Sequence, residues 1–225
     1  MTTLAIMKAR IHAETRRPST NTVFADAVAA AIATAIESYR TERFAFKEKR
    51  SVTFTTTDGT EFYTTTSVVA LALLEKIDYV KLIISNQPYT LSKAEADWIE
   101  SASVSGTQEG QPTHYCWYEQ GLRLYPIPST TGWTVRVAGN YHIAAPASDS
   151  EASNPWMVAA EQLIRCRAKY ELYEHVILDA DMAQRFHPEP QLAGLPPTPT
   201  SMALSRLRGR NTLLTSDGLI QPMSM

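Results

Sequence analysis

The stretch Tyr115-Cys-Trp-Tyr118, followed by Leu122-Arg-Leu-Tyr-Pro-Ile-Pro128 and Trp133-Thr-Val-Arg-Val-Ala138, decides the fold. These runs are rich in aromatic and β-branched residues and are separated by turn residues, so they predict consecutive strands of a β meander. Asn154-Pro155 then opens a helical pattern that continues uninterrupted to about Arg185, with Asn as N-cap and Pro at the first helical position. Strands that lead into a capped helix indicate an α+β unit.

Upstream of this stretch, the sequence predicts two helices followed by a change to strands. Apolar residues recur at three- and four-residue spacing over residues 3–16 and 22–40, which is the period of a helix with one buried face. From Arg50 the period changes to two, and Asp58-Gly59 lies between two alternating runs. Because Asp-Gly favours tight turns, this pattern predicts a β-hairpin centred on Asp58-Gly59.

Two further elements are expected between this hairpin and the meander. One is a strand over Asp78–Ser85, and the other is a short helix over Ser92–Ser101. Ser92 and Glu95 have the spacing of a capping box at the start of that helix, and Trp98 is expected to anchor it to the sheet. The predicted fold is therefore α+β. It is a bundle of N-terminal helices plus one long C-terminal helix, packed with an antiparallel β meander or sandwich and followed by an extended C-terminal arm.

The composition changes after residue 186. Residues 187–200 hold five of the thirteen prolines, which predicts an extended tether. Ser201–Arg210 can form a short basic helix, and Asn211–Met225 is expected to be extended. We therefore expect one α+β domain over residues 1–186, with a β-rich insert at about 50–143. Residues 187–225 are expected to form a proline-rich tether and a C-terminal docking arm.

Composition and charge narrow the class of protein. Hydrophobic residues make up 44% of the 225 residues, which is enough for a core, and a net charge of −2 disfavours a general nucleic-acid binder. Residues 1–50 hold nine Lys and Arg against five Asp and Glu, residues 51–200 nine against seventeen, and residues 201–225 three against one. A basic head and tail around an acidic body suit self-association or docking onto acidic neighbours. Without an apolar run of ~18 residues, a soluble cytoplasmic product is expected.

No catalytic, cofactor-binding or metal-binding motif is legible in the sequence, so an enzyme is not expected. His114 and Cys116 are two apart on one predicted strand, and their side chains therefore point in parallel and not at each other. The remaining histidines lack metal-ligand spacing, and no glycine-rich phosphate loop is present. Acidic residues on and after the long helix, such as Glu171 and Asp179, are best explained as a solvated face.

The basic tail is the candidate binding segment. Arg206, Arg208 and Arg210 stand at alternate positions, and their guanidinium groups suit carboxylates of a partner. Contact with a DNA backbone and a merely solubilising role remain open from the residues alone. The apolar residues beyond them favour docking, since a segment after a proline tether has no evident core to join (Leu213, Leu214, Leu219 and Ile220).

Taken in order, these elements resemble the tailed-phage head-to-tail adaptor family, the head-completion or tail-accessory connectors that dock on the portal. The resemblance covers roughly residues 20–222. It is carried by the order of the elements and not by any single one: Ile36-Glu-Ser-Tyr39, Arg43-Phe-Ala-Phe46, Thr53–Thr66, Tyr79-Val-Lys-Leu-Ile-Ile84, the Trp98 helix, Leu122–Pro128, Val135–Tyr141, the Trp156 helix and Gly218-Leu-Ile-Gln-Pro222.

The resemblance implies a structural role in the virion. Such a protein forms a homo-oligomeric ring, commonly a dodecamer, under the portal protein, where it extends the DNA channel and joins a downstream tail or nozzle protein. It implies that genomic DNA passes without specific binding, that no cofactor or membrane is involved, and that the protein is made in the host cytoplasm and resides at the head–tail junction. By this resemblance the C-terminal arm meets the portal, through Arg206, Arg208, Arg210, Leu213, Leu214 and Ile220.

Two other classes remain as alternatives. A single-stranded nucleic-acid-binding protein would stack bases on the aromatics of Tyr115–Tyr125 beside Arg123. A generic β-rich interaction module would account for the meander alone. A hydrolase using Cys116 or Ser105 is a weaker third reading, because no base or orienting acid is legible.

Overall fold

The computed structural model describes residues 2–103, 108–188 and 196–214. The chain divides into two compact units, one formed by residues 1–46 with 143–225 and the other by residues 47–142. In the described residues the first is helical, and the second is a β-sheet with one α-helix and a short 3-10 helix at Val69–Leu73. The predicted α+β class is confirmed.

The helical unit begins with two capped helices, α1 (Leu4–Glu14) and α2 (Thr22–Glu37), as the sequence predicts. The Thr3 and Asn21 side chains each accept a hydrogen bond from a first-turn backbone N–H, at 3.3 and 3.2 Å. These N–H groups have no partner within the helix, so the caps define where each helix begins.

The segment after Asn154 is helical, but it is not the uninterrupted helix that the sequence predicts. It contains α4 (Pro155–Ala159), α5 (Glu161–Leu172) and α6 (Ala180–Phe186). Asn154 caps α4 as expected, since its side-chain oxygen accepts from the backbone N–H of Trp156 at 3.1 Å.

The interruptions lie at Ala160 and between α5 and α6. Ala160 leaves helical backbone angles, with φ −124° and ψ 17°. Tyr173–Ile177 form one turn of π-helix, and Leu178 then takes the left-handed conformation at φ 58°. Asp179 starts α6 by accepting from the backbone N–H of Met182 at 3.0 Å. Asp is a strong N-cap residue. Asp179 could therefore have indicated the start of a new helix within the segment that was predicted as one helix.

One apolar core holds this unit together. The buried faces of α2 and α5 meet there, which confirms the expectation that the Trp156 segment packs on the second helix. Trp156 is 1% exposed, and its indole N–H donates to the Ile143 carbonyl at 2.8 Å. The Phe44 and Phe46 rings lie with their centroids 5.8 and 5.1 Å from the indole. The last described helix, α7 (Pro199–Leu214), adds two residues to the same core.

The β unit contains a seven-stranded sheet in the order β1-β9-β3-β4-β6-β7-β2, and a separate pair, β5 and β8. All neighbours in the large sheet are antiparallel except β4 and β6, which run parallel. The sheet therefore has one parallel junction between two antiparallel parts. The strands are β1 (Glu48–Thr55), β2 (Phe62–Thr64), β3 (Leu74–Ile84), β4 (Gln87–Lys93), β5 (Glu109–Gly110), β6 (His114–Tyr118), β7 (Gly121–Tyr125), β8 (Ile127–Pro128) and β9 (Thr134–Tyr141).

The strand pairing differs from the sequence prediction in two places. The predicted β-hairpin at Asp58-Gly59 is not formed, because β1 pairs with β9 and β2 pairs with β7. Gly59 has φ +68° and its N–H donates to the Pro128 carbonyl at 3.0 Å, so the turn is real but separates strands that pair elsewhere. Strands β6 and β7 pair as predicted, whereas β9 lies between β1 and β3 instead of following β7.

The region before the meander also differs. Ser92 and Lys93 end strand β4, so the helix α3 runs over Ala96–Ser103 and the predicted Ser92 cap is wrong. Ile99 is fully buried on α3. Trp98 is 46% exposed, but its ring centroid lies 4.8 Å from that of His114 on β6 and 5.7 Å from that of Tyr125 on β7, so it contacts the sheet as predicted. Strand β4 was missed, although the Ser85-Asn86 turn that joins it to β3 has both residues at positive φ, as tight hairpins require.

The interior of the β unit follows the predicted alternation. Val135 and Val137 are fully buried, whereas Arg136 between them is exposed. Leu122 and Leu124 on β7 are fully buried as expected. They join Val80, Leu82, Leu91 and Tyr115 in one cluster.

Candidate docking surface on the C-terminal helix

Helix α7 is longer than the short basic helix predicted over Ser201–Arg210. Pro199 occupies its first position, and the Thr198 hydroxyl accepts from the backbone N–H of Ser201 at 3.1 Å. Thr200 is fully buried, and its hydroxyl donates to the Phe186 carbonyl at 2.6 Å. The tether prediction is therefore wrong for Pro199 and Thr200, because a capped helix begins there.

One face of α7 is part of the helical unit. Ala203 is 4% exposed and Leu204 is 8% exposed, and Leu207 packs against the same core. Residues 211–214 continue the helix, so the expectation that the arm is extended from Asn211 is also wrong. The core contacts of α7 place its start on a fixed scaffold and not on a free tether.

The three arginines of α7 are exposed to solvent, but they do not form one group. Arg208 is held by Glu42 through two hydrogen bonds, one of them from Nε to a carboxylate oxygen at 3.3 Å. Within the described part of the chain, neither Arg206 nor Arg210 forms an ion pair. These two are four positions apart and therefore share one face of the helix.

Arg208 belongs to a partly buried group at the end of α2. Burial raises the pKa of the Tyr39 hydroxyl to about 12, and the guanidinium groups of Arg167 and Arg208 counter part of that rise. Glu42 lies in the same group and pairs with Arg208. Arg208 is thus engaged with the end of α2, whereas Arg206 and Arg210 have no ion-pair partner within residues 2–103, 108–188 and 196–214.

The other predicted docking residues are located less fully. Leu213 and Leu214 lie in the last turn of α7. Ile220 lies outside the described residues. The candidate docking surface therefore consists of Arg206 and Arg210. The apolar residues Leu213, Leu214 and Ile220 follow them in the chain.

A family model described as SU10 adaptor protein matches residues 2–193. The chain belongs to the SU10 adaptor protein family. This confirms the resemblance to phage head-to-tail adaptors and makes the chain a structural component of a phage virion. No curated protein matches the chain. The match ends before α7 begins, so the candidate docking residues lie beyond the part of the adaptor that the family model covers.

The structure of the adaptor gives its cysteines no catalytic setting. Cys116 and Cys166 are buried free thiols, and burial raises the pKa of both. The His114 ring nitrogen Nδ1 is 2.9 Å from the Thr113 hydroxyl, and Cys116 lies further along the same strand. A raised thiol pKa suppresses the reactive thiolate, so the geometry supplies no nucleophile pair.

The acidic residues on and after α5 divide into two kinds, since Glu174 and Asp181 are exposed as predicted and Glu171 is not. Glu171 is 9% exposed and pairs with Arg167 at 2.6 Å and with His175 at 3.4 Å, so it is not part of a solvated face. In residues 2–103, 108–188 and 196–214, no group of three His, Cys, Asp or Glu side chains could hold a metal ion. No helix in those same ranges is long and apolar enough to span a membrane.

The aromatic strands of the adaptor do not form the stacking surface that a single-stranded nucleic-acid binder would need. Tyr115 is 4% exposed and Tyr125 is 8% exposed, while Tyr118 is exposed. Arg123 is also buried and is neutralised by Glu61 and Glu100. Bases stack on accessible rings beside unpaired cations, and this region lacks that combination.

Proposed function

We propose that this adaptor forms a homo-oligomeric ring, a dodecamer, under the portal protein of a tailed phage. In this role it extends the channel through which DNA passes without specific binding, and it joins a downstream tail protein. The observation that carries the proposal is the surface of α7, a helix anchored in the core, on which Arg206 and Arg210 are exposed and form no ion pair with any described residue. A rigid helix with two free guanidinium groups suits the carboxylates of a fixed partner.

The proposed portal contact consists of Arg206 and Arg210, followed in the chain by Leu213, Leu214 and Ile220. Arg208 enters this contact less directly, since it is engaged by Glu42. The residues contributed by the portal would then be acidic at the arginines and apolar beyond them. No cofactor or catalytic residue enters this role.

The charges that would join neighbouring copies are partly used within each copy. Lys8 pairs with Asp149 at 2.7 Å, and Arg10 pairs with Glu161 at 3.0 Å, both within the helical unit. The basic head therefore already contacts acidic residues of its own chain. We infer that charge between copies is weak in solution and that free protein is monomeric until the portal gathers the copies.

The experiment that tests the portal contact compares two double charge reversals by mass photometry. Arg206→Glu with Arg210→Glu should lower the affinity for portal rings of the same phage by at least ~10-fold, since two charge-assisted contacts become repulsive. Lys81→Glu with Arg136→Glu places the same charge change on the β-sheet and should bind as the unmodified protein does. Circular dichroism of each variant checks that the fold is retained.

Two outcomes would contradict the proposal. One is unchanged portal binding by the Arg206 and Arg210 variant, and the other is equal loss by both variants, which would indicate a general charge effect. Unmodified protein at the same concentrations should appear as monomers alone and as near-complete rings on the portal. Stable rings without portal would contradict the expected order of assembly.

A further inference from the structure

Among the residues that the structure describes, no strand continues the line of β4 beyond its end, and we call the space there the slot. Strand β3 pairs with β4 only from Val80 to Ile84, so its first part, Leu74–Tyr79, is paired on one side alone, by β9. Strand β6 pairs with β4 only at His114 and Tyr115. Among the described residues, the edge of β3 before Val80 and the edge of β6 after Tyr115 have no strand partner on the β4 side.

A single cavity shows that the two open edges face each other. It measures about 240 Å³ and is lined by Leu74, Glu75, Lys76, Ile77, Lys93, Tyr115 and Trp117. The last main-chain contact before it is the Ala94 N–H, which donates to the Tyr115 carbonyl at 2.8 Å. The cavity thus lies where one more stretch of strand would continue the line of β4.

The lining indicates an extended peptide as the occupant. Leu74, Ile77 and Trp117 are partly exposed and border the interior cluster, so an inward-pointing apolar side chain would be buried against them. The volume is below the ~300 Å³ at which small-molecule pockets begin, which favours side chains over a cofactor. Unpaired strand edges bind added strands through main-chain hydrogen bonds.

The rim of the slot specifies the charge of that peptide. Lys76 and Lys93 are exposed, and within the described residues neither forms an ion pair. Glu75 is engaged by other groups of the chain. Two free ammonium groups at the mouth of an apolar slot suit a segment that carries an acidic residue and no basic one.

One segment of this chain has that composition. Residues 215–225 read Thr-Ser-Asp-Gly-Leu-Ile-Gln-Pro-Met-Ser-Met, with Asp217 as the acid and without any Lys or Arg. Leu219 and Ile220 suit a strand, and successive side chains in a strand point to opposite faces. Leu219 directed into the slot would leave Ile220 on the outer side, where the proposed portal contact needs it.

We propose that residues 215–225 of one copy add a strand to the slot of a second copy, with Leu219 against Ile77 and Trp117 and Asp217 beside Lys76 or Lys93. This contact rests on the proposed self-assembly and specifies its chemistry. It joins two different patches, which is the kind of contact that closes a ring. A short strand binds weakly between free copies, and gathering on the portal raises its effective concentration.

Disulfide trapping of full-length protein without portal tests this contact. Protein with Ile77→Cys is mixed with protein carrying Leu219→Cys under mild oxidation, and the covalent dimer is measured by mass spectrometry. The yield should exceed by at least ~10-fold that of an Arg136→Cys control, which lies on the other face of the sheet. Adding Lys76→Glu and Lys93→Glu should lower the yield ~3-fold or more, because Asp217 is then repelled.

Equal yields for Ile77→Cys and the Arg136→Cys control would overturn the proposal, as would a yield indifferent to reversal of both lysines. A double variant that links only within one chain would overturn the assignment to a second copy. Because Ile77→Cys could disturb the fold, hydrogen exchange provides an independent measurement. At high protein concentration, Leu219→Asp should speed exchange of the backbone amides in residues 75–79, and unchanged exchange would contradict the slot contact.

The absence of portal separates this result from the proposed function. Trapping with failed portal binding would leave the slot contact standing and reject the portal surface. Portal binding that depends on Arg206 and Arg210, without disulfide trapping, would leave the portal surface standing and reject the slot contact.

Discussion

The two units of the molecule are stabilised in different ways. In the helical unit, contacts between side chains dominate: the Trp156 indole lies among Phe44 and Phe46, and Lys169 reaches Glu14 at 2.6 Å. In the β unit, strands far apart in sequence are joined by main-chain pairing, as β1 is with β9. The comparison teaches that local sequence patterns locate the helical segments of the first unit, though not every interruption in them, and that they do not show which strands pair in the second.

The largest effect is expected from removing the central side chain of the helical unit. Trp156→Ala should lower the free energy of unfolding by about 3–5 kcal/mol, because it leaves a large cavity and orphans the Ile143 carbonyl. Urea denaturation followed by circular dichroism measures the change. Trp98→Ala, which removes a half-exposed ring that contacts His114 and Tyr125 in the β unit, should cost about 1–2 kcal/mol. Equal costs for the two would mean that the indole at 156 is not the centre of its unit.

A smaller effect is expected from disturbing the backbone of the β unit. A Cβ at position 139 would lie 2.0 Å from the Lys76 carbonyl oxygen, so Gly139→Ala must separate β9 from β3. We expect a loss of about 1–3 kcal/mol, the usual cost of overpacking. Gly110→Ala is the matched control, since its Cβ would meet nothing closer than 3.9 Å. If Gly139→Ala unfolded at the same urea concentration as the control, the close approach of β9 and β3 would be contradicted.

The smallest effect is expected in the alkaline pH dependence of stability, to which one buried tyrosine in each unit contributes. Burial raises the pKa of Tyr39 in the helical unit and of Tyr141 in the β unit to about 12. The folded state therefore holds these protons more tightly than the unfolded chain does. The contribution of each hydroxyl group to the free energy of unfolding is complete below pH ~10 and is lost as the pH rises through about 12. At pH 11 the loss is about 1 kcal/mol per ring after allowance for solvent screening.

Phe substitutions separate the two rings. Unfolding of Tyr39→Phe and Tyr141→Phe between pH 9 and 11.5 should each show a shallower loss of stability than the unmodified protein. Tyr118→Phe, at an exposed position, should leave the slope unchanged. A slope insensitive to both buried substitutions would show that the two hydroxyl groups do not govern alkaline stability.

The sequence predicted the parts of the fold that depend on neighbouring residues. Asn154-Pro155 marked a helix start, and the alternation of Trp133–Val137 identified the buried face of β9. The same reasoning placed a hairpin at Asp58-Gly59, because turn residues report that the chain bends and not which strands then pair. The position of β9 between β1 and β3 depends on pairs of residues about 50 to 90 positions apart, and the periodicity of a short segment carries no information about such pairs.

The candidate surface was predicted in part for the same reason. The arginines of the tail were recognisable by type, and spacing alone could have grouped Arg206 with Arg210. The role of Arg208 depends on Glu42, 166 residues away, which no spacing within the tail reveals. The slot beside β4 was not predicted, because it results from a strand that ends before its neighbours do.

The parallel junction between β4 and β6 has a mechanical consequence. Strands β3 and β9 are paired at eight positions, whereas β4 and β6 are paired at two. A force that pulls the two edges of the sheet apart should therefore separate β4 from β6 first. The β1-β9-β3-β4 part of the sheet and the β6-β7-β2 part would then move independently. Helix α3 lies between β4 and β6 in the chain, and its Ile99 is buried beside Cys116 and Tyr125 of the β6-β7-β2 part. This helix therefore limits how far the two parts of the sheet can separate.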